Sequence, residues 1–132
     1  MKHVKRIAIG IVCTPLILIA VWILFEIFGM CVNHIATSRQ TSKLQHNLTT
    51  AVDDIEITDV YSETGNTGGT GNHVDMLSIV SFTSEKTQEE LQNLMCDYYD
   101  FDMWCCRIDE TENGYEFYLN QSAPFADNIQ GH

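Results

Sequence analysis

A chain of 132 residues with 18 acidic against 7 basic side chains, net charge −11, has room for one small domain at most. The charge is unevenly placed: residues 1–52 hold five Lys or Arg against one acid, a balance of +4, and residues 53–132 hold two against 17, a balance of −15. A region this acidic, with only Lys86 and Arg107 as cations, gains nothing from counterion release on a phosphate backbone and is repelled by anionic headgroups, so nucleic acid is excluded as a partner.

The N-terminal quarter cannot belong to a water-soluble core. From Ile7 to Phe25 run 19 residues without a charge, and at ~1.5 Å per residue they cover the ~30 Å hydrocarbon layer of a bilayer. Pro15 is read as a kink tolerated in lipid. Lys2, Lys5 and Arg6 precede the run, whereas Arg39 and Lys43 follow only at some distance, so the positive-inside tendency keeps the N-terminus cytoplasmic. Trp22 and Phe25 fall at the outer end, where rings favour the interface.

A secretory signal is the competing reading. Its apolar core is ~7 to 15 residues, shorter than this one, and the small residues Ala36-Thr37-Ser38 offer only a late cleavage site. A lipoprotein reading through Cys31 is opposed by the bulk of Met30 before it. Glu26 is either an intramembrane carboxylate serving a partner helix or a proton path, or the marker of the outer edge of the span; counting 20 residues from Ile7 lands on it and favours the edge. The expected division is therefore a basic cytoplasmic N-terminus over 1–6, a transmembrane signal-anchor helix over 7–32, a stalk over 33–52 and an acidic extracytoplasmic domain over 53–132. Residues 37–52 are polar with isolated Leu44 and Leu48 four apart, which is why they read as a stalk. Asn47-Leu48-Thr49 and Asn120-Gln121-Ser122 match the short N-glycosylation acceptor pattern.

After the stalk the period changes to two. Ile55, Ile57 and Tyr61 fall on alternate positions, and a second run from Val74 to Phe82, apolar on both faces, predicts a central strand antiparallel to the first. The connection between them contains Gly65, Asn66, Gly68, Gly69, Gly71 and Asn72. A phosphate cradle would need a helix and a cation after it, so a long, mobile hairpin loop is expected, and it is the candidate contact loop. Thr87-Gln-Glu-Glu90 has capping-box spacing, and Leu91, Leu94, Met95 and Tyr98 form the apolar stripe of a short helix ending near Tyr99 or Asp100. Asn113-Gly114 predicts the turn of a last hairpin, pairing Glu112 with Tyr115, Glu110 with Phe117 and Ile108 with Leu119. That register puts Trp104, Cys106 and Ile108 on the core face beside Tyr115, Phe117 and Leu119, and Cys105 on the other. The fold class expected is α+β: an antiparallel four-stranded sheet with one helix on a single face, in the order ββαββ after the anchor and stalk.

Cysteine use is the most suggestive chemical feature. Cys96 and Cys106 are the candidate disulfide of an exported domain, with Cys105 the competing partner of Cys96. Cys105-Cys106 in a strand, among acids, lacks the helix-start setting that stabilises a thiolate. Asp109 to Gly114 imitates the start of a calcium-binding loop, but Asn120 stands where the bidentate Glu is required. No His-Glu-x-x-His or Cys-x-x-Cys spacing occurs, and His73 stands alone. The expectation is a non-enzymatic interaction or accessory module with no catalytic, metal or cofactor residues, whose partners are the lipid bilayer and an unidentified protein. The alternative is a small thiol- or metal-dependent envelope enzyme using Cys96, Cys105 and Cys106, or the acids around Asp100 and Asp102. A third reading makes the anchor itself the contact, through its Glu26 face.

Overall fold

The structure is a computed structural model that describes residues 2–69, 71–125 and 129–131, with side chains from Gly10 onward. Helix α1 runs unbroken over Lys2–Ala51, followed by β1 (Glu56–Gly65), β2 (Asp75–Thr83), α2 (Gln88–Met95), β3 (Cys106–Thr111), β4 (Gly114–Ser122) and a final 3-10 turn at Ile129–Gly131. The four strands form one antiparallel sheet in the order β1-β2-β4-β3. β2 is central, as its two apolar faces require.

The N-terminal half of α1 is long and apolar enough to cross a membrane, and none of that stretch is buried by the rest of the chain. Length and composition of this kind suit a membrane anchor and a signal sequence alike. Pro15 sits inside the helix, and the Thr14 hydroxyl donates to the Gly10 carbonyl, 2.8 Å, which keeps its own polar group satisfied within the apolar run.

The region expected as a stalk is instead the main helical cover of the sheet. Asn33, Thr37, Thr41, Leu44, Leu48 and Val52 recur every three or four residues, share one face, and are all buried. Leu44, Leu48 and Val52 belong to the same core cluster as Val80, Phe82, Leu91, Met95, Cys106, Ile108, Phe117 and Leu119. The upper part of this stripe is apolar and the lower part is a hydrogen-bonded seam: Thr37 Oγ1 lies 2.7 Å from Thr64 Oγ1, Thr41 Oγ1 lies 2.7 Å from Ser78 Oγ, and Gln40 Nε2 donates to Met76 O at 2.8 Å and Ser78 Oγ at 3.0 Å. Because each buried hydroxyl finds a partner on the strand it faces, the polar seam packs without leaving orphaned groups on those threonines. The helical layer thus has two members, α1 over β1 and β2 and α2 over β3, where a single helix was expected.

Three further expectations are corrected. A bulge between Ile57 and Asp59 in β1 lets Ile57 pair with Phe82 and Val60 with Val80, so Tyr61, opposite Ile79, turns to the outer face rather than sharing that of Ile57. The last hairpin turns at Glu112-Asn113, one residue earlier than Asn113-Gly114, and its pairing slips by two: Thr111 pairs with Gly114, Glu110 with Tyr115, Ile108 with Phe117 and Cys106 with Leu119. A slip of two preserves the faces, so Cys106 and Ile108 are buried as the alternation demands. Gly114 is held at φ +136°, and a Cβ there would lie 2.4 Å from Phe82 O, so the close approach of β4 to β2 fixes the turn position. Trp104, however, precedes β3 rather than lying in it and is 75% exposed.

Helix α2 opens on the capping box read from sequence, Thr87 with Glu90, whose carboxylate is held below its usual range by the Thr87 backbone N–H and then its hydroxyl. It ends at Met95 with Cys96 as cap, sooner than expected; Leu91 and Met95 are buried while Leu94 and Tyr98 face out. Tyr99 and Phe101 supply the missing cover, their rings 5.1 and 5.5 Å from that of Phe117.

Candidate functional site

The glycine-rich connection and the start of β2 meet at one end of the sheet, and a buried polar hub ties them together. Asp75, 6% exposed, is the first residue of β2, and its Oδ2 accepts from Thr67 Oγ1 at 3.2 Å and Gly68 N at 3.3 Å, with His73 Nε2 at 3.0 Å. Asn120, two residues before the end of β4 and equally buried, donates to Thr67 Oγ1 at 3.1 Å. Asn66 closes the loop from within, accepting from Gly69 N at 2.9 Å and donating to Gly71 O at 2.7 Å. Gly69 and Gly71 take φ of +67° and +71°, the left-handed region that glycine enters without a Cβ clash.

The expected long, mobile loop is therefore a tied turn over its described residues, and His73, expected to stand alone, is paired. The chemistry follows from where the donors go. The amides of Gly68 and Gly69, which in a phosphate cradle would point at the ligand, are consumed by Asp75 and Asn66. Asp75 Oδ2 is engaged by Thr67, Gly68 and His73, and among the described residues no hydrogen bond joins a serine or thiol to His73.

The thiols and acids of the enzymatic alternative border two surface hollows, with Cys106 in the core, where Cys105 and Asp100 are near enough to add to the rise of its thiol. Cys96, Asp97, Asp100 and Asp102 border an open hollow of about 540 Å³ beside α2. Cys105 lies with Met103, Trp104 and Asp75 on another, of about 480 Å³, at the glycine-loop end. Cys106 is buried beneath the sheet, where desolvation pushes its thiol up to about 12 and leaves it protonated and unreactive. All three are free thiols in the structure, and Cys96 Sγ donates to Asn93 O at 2.9 Å. Among the described residues no group of three or more His, Cys, Asp or Glu is placed to hold a metal ion.

Both glycosylation-pattern asparagines are structural. Asn47 donates to the Tyr99 hydroxyl at 3.1 Å and Asn120 is part of the hub, and both are buried, so neither amide is open to a glycan in the folded chain.

Sequence reasoning missed the residues that bind the chain's last segment to α1. Asn33, fully buried, donates to Phe125 O at 2.8 Å and accepts from Phe125 N at 2.9 Å. The Phe125 ring stands edge-on to Phe25 and Phe28, centroids 5.9 Å from each, and lies against Gly29, where a Cβ would come within 3.3 Å of it. The signal available was a buried-side asparagine in register with Thr37 and Thr41, but its partner lies 92 residues away. No protein-family model, curated protein or solved structure matches the chain, so its fold and site stand on their own geometry.

Proposed function

We propose that this is a single-pass membrane protein, N-terminus cytoplasmic, whose acidic extracytoplasmic domain is a non-enzymatic interaction or accessory module. The observation that carries the reading is the uncovered half of α1. The large apolar side chains from Ile11 to Phe28 are between 42% and 69% exposed to everything else in the chain. At ~25 cal/mol per Å² of apolar surface, water is an untenable solvent for a stripe of that size, and a bilayer removes the cost. The same helix supports retention of the anchor: a cut at Ala36-Thr37-Ser38 would sever α1 inside its packed stripe and strip Phe125 of its partner Asn33. A non-enzymatic role is supported by the engagement of Asp75 Oδ2 within the fold and by the burial of Cys106, whose thiol is held protonated.

Alkaline carbonate extraction of membranes carrying the full chain, with protease added to the intact cells, tests the proposal. The chain should stay in the pellet at full length and lose its acidic domain to the external protease. Release into the supernatant, or a domain shielded from protease on intact cells, would contradict it.

A further inference from the structure

The described end of the chain forms a foot on α1. Beyond β4, Ala123 N continues the ladder to Val74 O at 2.8 Å, Phe125 is clasped by Asn33, and Gln130 reaches His34 at 2.7 Å. The sheet end sits level with Thr37, through its bond to Thr64, and the foot fills the axial distance from there down to Phe28, about 13 Å of helix at ~1.5 Å per residue. Phe25 and Phe28, against which Phe125 packs, are themselves part of the uncovered apolar stretch. A ~30 Å hydrocarbon layer counted from Ile7 ends at Glu26, so a ring in contact with both Phe25 and Phe28 lies at the outer boundary of that layer.

We propose that this foot, centred on Phe125, is seated in the interfacial layer of the bilayer, so that the domain rests on lipid in a fixed orientation instead of standing off on a tether. The inference rests on the membrane reading above. Lipid is the partner because the foot is continuous with the lipid-facing surface of α1, with Ile129, 57% exposed, and Pro124 also turned outward. The balance of −15 over residues 53–132 selects a neutral or zwitterionic surface over an anionic one. Asn33 makes the contact specific: by satisfying both backbone groups of Phe125, it lets that residue sit beside hydrocarbon without an unpaired N–H or C=O.

The test uses the full chain in zwitterionic nanodiscs with Trp22 and Trp104 replaced by Phe, and Phe125→Trp as the single reporter. On lipid brominated near the headgroup the reporter should emit blue-shifted and lose at least about half the fraction of intensity that Trp22 loses as sole tryptophan in the Trp104→Phe chain. Adding Asn33→Ala should red-shift the reporter and reduce its quenching while a Trp22 reporter is unmoved. Ile129→Trp, at an exposed position that packing does not restrict, serves as a second reporter and should also be quenched. Reporters at 125 and 129 that are unquenched while Trp22 is quenched would overturn the seated foot and leave the anchor standing. An unquenched Trp22 would overturn the anchor, and the foot with it.

Discussion

Asn33 and Asp75 show how single buried polar groups organise this protein. Each is engaged within the fold: the amide of Asn33 by the backbone of Phe125, and Oδ2 of Asp75 by Thr67, Gly68 and His73. Removing either leaves partners buried and unpaired, which costs more than the bonds contribute. Apolar residues divide by where the backbone puts them. Phe117 is fully buried between Tyr99, Phe101 and the helices, while Trp104 is 75% exposed. Phe117→Ala is therefore expected to cost ~3–5 kcal/mol in urea unfolding of the full chain. Trp104→Ala should stay within ~0.5 kcal/mol, and a loss as large as that of Phe117→Ala would place Trp104 in the core after all. Alternation read from sequence could assign Cys106 and Ile108 to the core face because parity survives a two-residue slip, but it could not show that the strand begins at Cys106 and leaves Trp104 outside. Acid titration probes a third site. Asp54 is lowered from 3.8 to about 2, first by the Glu85 backbone N–H and next by Lys86. A depressed carboxylate contributes its full stability above the unfolded value and loses it as pH falls toward the folded one, so the loss falls between 3.8 and about 2. Asp54→Asn should lower the urea midpoint at about pH 5 and shrink the drop between there and about pH 2.5; an unchanged drop would remove the Asp54 clamp from the account.

Among the elements, α1 decides what counts as the domain. Leu44, Leu48 and Val52 each bury a side chain worth ~1.5–3 kcal/mol, in one cluster with Val80 and Phe82 of β2 and Leu91 and Met95 of α2. A chain of residues 33–132 is expected to fold cooperatively in water, with dispersed amide resonances. One of residues 53–132 should remain largely unfolded, and native-like dispersion from it would show α1 to be dispensable. The hairpins and α2 were legible because their signals are local: Thr87 and Glu90 cap, Asn113-Gly114 marks the last turn to within one residue, and β2 is apolar on both faces. The packed half of α1 was not, because its inward stripe begins with Asn33, Thr37 and Thr41, and hydrophobic periodicity does not register threonines whose partners are Thr64 and Ser78. The hydrogen bonds across the glycine connection were hidden for a related reason. Its composition suits mobility, but Asp75 and Asn120, both outside the loop, tie it down.

At the scale of the whole molecule, one helix is shared between two surroundings. On the proposed anchoring, α1 passes from lipid into the protein core without a joint: its outward side chains change from Phe28 to His34 and Arg39 while its inward stripe runs on to Val52. Tether and domain are then one rigid body, and the acidic surface is presented to its partners at a set height and angle above the bilayer. This is the property that separates a positioned module from one on a flexible stalk. Amide hydrogen exchange along α1, measured on the full chain in zwitterionic nanodiscs, tests it most directly. Protection should be continuous from Ile11 through Leu48, with no rapidly exchanging break between Met30 and Gln40. Fast exchange across Met30–Gln40, with protection on both sides of it, would show a flexible tether and contradict the account.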